Sequence, residues 1–218
     1  MPPSRIAPHA PVRAGNSQFG SPPSIHERLR QGTSLAHRDL ERRLDLTGPA
    51  LSASRYRRVL QAFYGFYEPL ETRLRGAVTL ALAAPPFELR ARAELLARDL
   101  AALGMTSAEV ARLPRCSELP EIASPAHLGG CLYVLEGASL GGQVIVRALA
   151  HRLDTPAGFA TEFFVGDGAR TGPRWKRVLA WLEQLAQRDA IDRDAIVDAA
   201  RATFEVLAHW LQLRGVMR

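Results

Sequence analysis

Cysteine is scarce in this chain: there are two in 218 residues, Cys116 and Cys131, at no metal-like or redox-like spacing. That excludes a disulfide framework and fits a reducing, cytoplasmic home. Aromatic residues make up only 7%, and no stretch shows sustained period-two alternation, which argues against β-sheet. No uninterrupted apolar run reaches the roughly 20 residues of a bilayer span, so the sequence predicts no membrane association. The N-terminus is basic and proline-rich but lacks an apolar h-region, which excludes a secretory signal. Zinc-finger and RNP signatures are missing, and the arginines are scattered along helices rather than massed, so the net charge of +6 does not point to nucleic acid. The charge suits an anionic ligand or an acidic partner.

What remains is abundant Ala and Leu and a 47% apolar content, enough for a substantial helical core. Residues 1–23 hold six prolines with Gly, Ser and Asn and read as a disordered tail. The folded unit is expected over 24–218. Ser24-Ile25-His26-Glu27 is a capping box that starts a helix running to about Leu44, stopped by Gly48-Pro49. A second helix begins near Ser52 with the stripe Tyr56, Val59, Leu60, Phe63, Tyr64, Phe66 and Tyr67, is kinked at Pro69, and continues over Leu70–Leu82. A third block spans Phe87 to Leu103 with Gly104 as its C-cap. A short helix follows at Thr106–Leu113, a loop at 114–125, then one helix over 126–152. Residues 154–172 are irregular. Pro173 fits the first turn of a helix to about Arg188, and Asp192 caps a last one with Ile196, Ala200, Phe204, Leu207 and Leu211 on its core face. The class is all-α: a single-domain irregular bundle of six to eight helices.

The helix over 126–152 carries the strongest functional signal. Gly137, Gly141 and Gly142 stand at i, i+4 and i+5. Each glycine costs a helix interior roughly 1 kcal/mol relative to alanine, so three cost about 3 kcal/mol, a large fraction of a domain's net stability. Such a face carries no side chains, and a flat object could touch its backbone. Close helix packing, or a kink between two half-helices, accounts for the same pattern equally well. On the first helix His37 shares a face with Leu29, Leu40 and Leu44 and is expected to point inward. An inward histidine is more often a hydrogen-bonded core residue, yet a neutral imidazole is also the usual axial ligand of haem iron. A histidine facing a side-chain-free helix is what a sandwiched macrocycle requires, with room left for dioxygen on the far side.

Together these residues resemble the haem oxygenase family. Thr33, His37 and Glu41 match its proximal pattern, with Thr four before the ligand histidine and Glu four after. Gly137, Gly141, Gly142 and Gln143 match its distal Gly-x-x-x-Gly-Gly-Gln core. The resemblance spans residues 25–213. The wording from Leu132 to Gly142, with Phe163-Phe164 and Thr171-Gly172-Pro173-Arg174-Trp175-Lys176, looks most like the bacterial branch associated with bacteriophytochromes.

The resemblance implies a haem oxygenase fold in which haem lies between a proximal and a distal helix. It implies degradation of haem b, both cofactor and substrate, to biliverdin, carbon monoxide and ferrous iron with O2. Electrons would come from an external ferredoxin or flavoprotein reductase, and the product would serve a bacteriophytochrome; the protein is expected to be a monomer. His37 becomes the iron ligand. Gly137, Ser139, Gly141 and Gly142 form the distal catalytic wall. Arg30, Thr33, Glu41, Tyr133, Lys176 and Arg177 become haem-binding residues, with the three cations meeting the propionates. Two departures stand out. Ala138 occupies a position where some members carry an Asp that orders distal water, which leaves Ser139 or backbone groups to hold that water. Leu132 aligns with a propionate-binding tyrosine, and Tyr133 beside it points about 100° away round the helix. The rival class is a non-catalytic haem carrier of the same fold. Glu205 and His209 stand four apart, but without paired Glu-x-x-His motifs they make no di-iron site. No nucleophile elbow or phosphate loop is present.

Overall fold

The computed structural model describes residues 22–80, 84–153, 156 and 158–218. The expected tail therefore lies outside the described residues up to 21, as does Leu82. Nine α-helices appear among the described residues: α1 (Ile25–Leu44), α2 (Ala53–Leu80), α3 (Arg92–Ala102), α4 (Ser107–Ala111), α5 (Pro125–Gly137), α6 (Gly142–Leu153), α7 (Glu162–Val165), α8 (Thr171–Ala186) and α9 (Arg193–Leu213). A 3₁₀ turn, Gly168–Arg170, precedes α8. The count exceeds the expected six to eight because the distal stretch is two helices and residues 162–165 add a turn of their own.

Local chemistry sets most of the ends. The Ser24 hydroxyl accepts from Glu27 N at 3.2 Å, and the Glu27 carboxylate accepts from Ser24 N at 2.9 Å, which satisfies two orphan donors at the start of α1. Thr106 and Glu109 repeat the device on α4. Asp192 caps α9 by accepting from Asp194 N. α1 stops earlier than Gly48-Pro49, because Asp45 takes the left-handed conformation (φ 42°) and donates its N–H to Glu41 O. α3 begins at Arg92 rather than near Phe87. Its C-terminus is a Schellman turn: Gly104 has φ +87°, Gly104 N donates to Ala101 O and Met105 N to Leu100 O. α2 runs on both sides of Pro69 as one helix.

The core is built around α9. α1 runs parallel along it, with Arg28 meeting Asp194, Arg201 donating to Gly32 O, His37 touching Phe204 and Arg43 reaching Gln212. α5 lies still closer: a Cβ on Gly130 would sit 2.5 Å from Ile196 O and 2.6 Å from Ala200 N, so only glycine allows this backbone-to-backbone approach. α1 and α5 both pack on α9 and do so much more than on each other, so α9 is the shared support of the two helices that carry the expected site residues. Trp210 Nε1 donates to Ala62 O at 2.7 Å and ties α9 to α2. The expected face Ile196, Ala200, Phe204, Leu207 and Leu211 is buried.

The stretch Pro125–Arg152 is long and apolar enough on average to cross a membrane, though Glu136 and Arg147 interrupt its apolar run. It is broken at 138–141, and its α5 half packs on α9 and α8 as a core helix.

Candidate functional site in the α1–α5 cleft

The proximal wall comes from one face of α1. Thr33 is buried, and its hydroxyl donates to Leu29 O at 2.8 Å. One turn on, His37 does not point into the core as expected: half of its side chain is exposed, 51%. Its ring meets Phe204 of α9 edge-on, with centroids 5.8 Å apart at 82°. Nδ1 lies 3.4 Å from Glu41 Oε2. The carboxylate thus faces Nδ1, and Nε2 is the nitrogen left away from it, available to a ligand.

The distal wall is α5, a break, and α6. The expected single helix is interrupted at residues 138–141 by short i→i+3 bonds, Leu140 N to Gly137 O at 3.0 Å and Gly142 N to Ser139 O at 3.2 Å. The three glycines part company here. A Cβ on Gly137 would make ordinary contact with Trp175 at 3.5 Å, and one on Gly141 would meet nothing within 4 Å. A Cβ on Gly142 would lie 1.9 Å from Phe164 O. Gly142 is therefore a packing glycine against the α7 segment, not an element of the open wall as expected. Ala138 is exposed, and Leu140 (48%) and Val144 (63%) are large apolar residues left facing outward.

The two walls meet where Tyr133 of α5 comes beside Thr33 of α1, close enough for the Thr33 hydroxyl to act on the phenol. Tyr133 and Gly137 share a face of α5, as Thr33 and His37 share a face of α1, so this pair brings the two expected faces together. Burial pushes the Tyr133 phenol above its ordinary value, while Thr33 and the nearby Arg30 charge pull it back. Trp175 of α8 packs against both Tyr133 (5.5 Å) and His26 (6.1 Å). Arg30, Lys176 and Arg177 are exposed. Tyr133, rather than buried Leu132, is the side chain on the cleft side.

Ser139 departs furthest from its expected place. It is 5% exposed and its hydroxyl faces the protein interior, where it accepts from Arg90 Nη1 at 2.8 Å and from Arg92 Nη2 and donates to Glu136 O at 3.1 Å. It cannot serve water on the cleft side. Behind it lies a buried charge network. Arg174 holds Glu136 with two hydrogen bonds, Nε to Oε2 at 2.8 Å and Nη2 to Oε1 at 2.7 Å. Arg90 pairs with Asp167, and its Nε lies 3.5 Å from Glu136 Oε2. The Glu136 hydrogen bonds hold the Arg174 guanidinium above its usual value, while burial pushes Arg90 down. These residues escaped the sequence reading. The available signal was Glu136 itself, an acid inside Leu132-Tyr133-Val134-Leu135-Glu136, because a buried charge needs a partner.

Haem fits this donor set. The residues offer a half-exposed imidazole with Nε2 away from its carboxylate neighbour, a glycine whose Cβ position is open, and exposed cations at Arg30, Lys176 and Arg177.

The sequence model of the Heme oxygenase family matches residues 24–213. A curated heme oxygenase of Xanthomonas campestris pv. campestris (strain 8004) is 33% identical over 149 residues, 68% of this chain and 84% of that protein. Among solved structures, the NO- and CO-bound heme oxygenase of Neisseria meningitidis superposes with a TM-score of 0.70 at 20% identity, covering 88% of this chain and 92% of that one. The heme oxygenase of Leptospira interrogans gives 0.65 at 24% identity, covering 88% and 98%. The two structures share the all-α fold.

Proposed function

The chain belongs to the haem oxygenase family, and from that premise we propose that it oxidises haem b to biliverdin, carbon monoxide and ferrous iron in the α1–α5 cleft. Electrons come from a separate ferredoxin or flavoprotein reductase, and the biliverdin supplies a bacteriophytochrome. The observation that carries the reading is the half-exposed His37 beside Glu41 on α1, together with a distal stretch in which a Cβ on Gly141 would meet open space. When bound, haem itself supplies the iron-centred oxidation of its own ring with O2.

The protein's part is position. His37 would hold the iron through Nε2, with the Glu41 carboxylate 3.4 Å from Nδ1 orienting the ring. Phe204 supports the imidazole edge. Gly141, where a Cβ would meet open space, would let a bound ring approach backbone rather than side chain. Gly137 sets the neighbouring stretch of that wall against Trp175. Arg30 with Lys176 and Arg177 would take the propionates, with Thr33 and Tyr133 lying side by side next to Arg30. Both cysteines are free and buried, in keeping with a reducing, cytoplasmic compartment.

A haem carrier is the second reading, favoured by Ala138 and by the inward turn of the Ser139 hydroxyl. One assay separates the two. Purified protein loaded with haem and given ascorbate under air should lose its Soret band and gain broad red absorption; a Soret band that persists makes it a carrier. His37→Ala should change the ferric spectrum and abolish turnover, with imidazole restoring part of both. An unchanged spectrum would place the ligand elsewhere.

A further inference from the structure

The break between α5 and α6 has little support of its own. Its backbone is held by i→i+3 bonds, one of them long, Ser139 N to Glu136 O at 3.4 Å, and such bonds have poorer geometry than helical ones. Yet its central hydroxyl is fully engaged. Ser139 Oγ receives two guanidinium donors and gives its proton to Glu136 O, which exhausts a hydroxyl's capacity.

Both donors come from one short segment, which is itself anchored. The buried Glu71 of α2 accepts from Arg92 N at 2.7 Å and from Ala93 N at 3.2 Å, capping α3 where Ala91 supplies no side-chain cap. Arg90 continues to Asp167, ahead of α8, and Arg174 of α8 grips Glu136. The residue after Arg174 is Trp175, which stands against Gly137. The break, the start of α3 and the start of α8 are thus one charge-linked body.

We propose that Arg92 and Arg90 are positioning residues that act through the Ser139 hydroxyl to fix the height and tilt of the α5–α6 break, and so select which edge of the bound ring is oxidised. The second half of this statement rests on the haem-degrading reading above; the first half concerns the protein alone. Displacements of about 1 Å at a reacting centre are enough to redirect or slow a reaction, and a break held from outside transmits such a displacement from residues that never touch the ring.

Hydrogen exchange on the haem-free protein tests the first half. Ser139→Ala should speed exchange at the Leu140 and Gly142 amides by about tenfold or more, and leave Phe204 and Leu207 of α9 unchanged. Arg92→Met should do so to a smaller degree, since Arg90 still donates to Ser139, Arg92→Lys should restore part of the protection, and the double variant Ser139→Ala/Arg92→Met should not exceed Ser139→Ala alone, since the serine change already removes the Arg92 bond. In haem-loaded protein the ratio of product isomers should shift in Ser139→Ala. Unchanged exchange at 139–142, additive effects, or exchange raised equally in α9 would overturn the proposal. A shift in exchange without haem turnover in the unaltered protein would sink the functional reading and leave the strut standing. A shift in exchange with turnover but an unchanged isomer ratio would confine the arginines to stability.

Discussion

Arg174 holds both oxygens of Glu136, at 2.8 and 2.7 Å, with both side chains almost wholly removed from solvent. Removing one member of such a pair leaves a buried charge uncompensated, at a typical cost of about 3–5 kcal/mol. Arg90, 3.5 Å away from Glu136 Oε2, offsets part of this. Arg174→Ala should therefore lower unfolding stability by about 3 kcal/mol in urea titration, and Arg174→Lys by less. A loss under about 1 kcal/mol, the range of surface pairs, would mean the network contributes no more than a solvated one.

Gly141 and Gly142 are neighbours with opposite sensitivities. A methyl group at Gly142 collides with the Phe164 carbonyl, a backbone atom that cannot swing aside. Gly142→Ala should destabilise the haem-free protein by about 2 kcal/mol or more, as overpacking does. Gly141→Ala should leave its melting temperature nearly unchanged, within about 0.5 kcal/mol, because the added atom meets open space. Turnover should reverse the order for larger groups: Gly141→Leu folds but loses most activity. Equal melting losses in the two alanine variants would contradict the packing assigned here.

Burial pushes the Glu71 carboxyl up to about 7, against the pull of the Ala93 and Arg92 backbone N–H groups it accepts. The folded state therefore binds this proton more tightly than the unfolded state, where the group titrates near 4.5. The contribution is fully present below about pH 4.5 and is lost as pH rises through about 7, a span worth on the order of 3 kcal/mol. Glu71→Gln keeps an oxygen for both N–H groups and cannot ionise. It should flatten this part of the stability profile and be the more stable protein at pH 8. Parallel profiles of the two proteins between pH 5 and 8 would remove Glu71 as the titrating group.

Arg30 is exposed on α1 but close enough to affect the Tyr133 phenol. A solvated cation contributes up to about 1 kcal/mol to a pair, so Arg30→Ala should weaken haem binding by about twofold to fivefold rather than abolish it. Arg30→Ala with Lys176→Ala should also allow the ring to rotate about its axial bond and change the ratio of product isomers. Haem titration and chromatography of the products measure the two effects. Unaltered affinity and isomer ratio in the double variant would place the propionates on other residues.

The sequence by itself determined what depends on near neighbours. Ser24, Thr106 and Asp192 announce helix starts because a cap satisfies donors two or three residues away. The aromatic stripe of α2 and the core face of α9 follow from periodicity alone. The Thr33–His37–Glu41 and Gly137–Gly141–Gly142 spacings carry the family. Only the tertiary structure decided where those residues face. Periodicity marks His37 as lying near an apolar stripe, but whether that stripe ends in core or opens on a cleft depends on α1 and α5 both choosing α9 as their partner. The same residues 126–152 read as one helix until Phe164 O, 22 residues on from Gly142, and Arg90 and Arg92, 49 and 47 residues back from Ser139, break it. A hydroxyl on a helix has no local reason to turn inward, and three arginines spread over 85 positions show no pattern in sequence. Desolvation and paired charge, which exist only once the chain is folded, gave Ser139 its direction and the distal wall its shape.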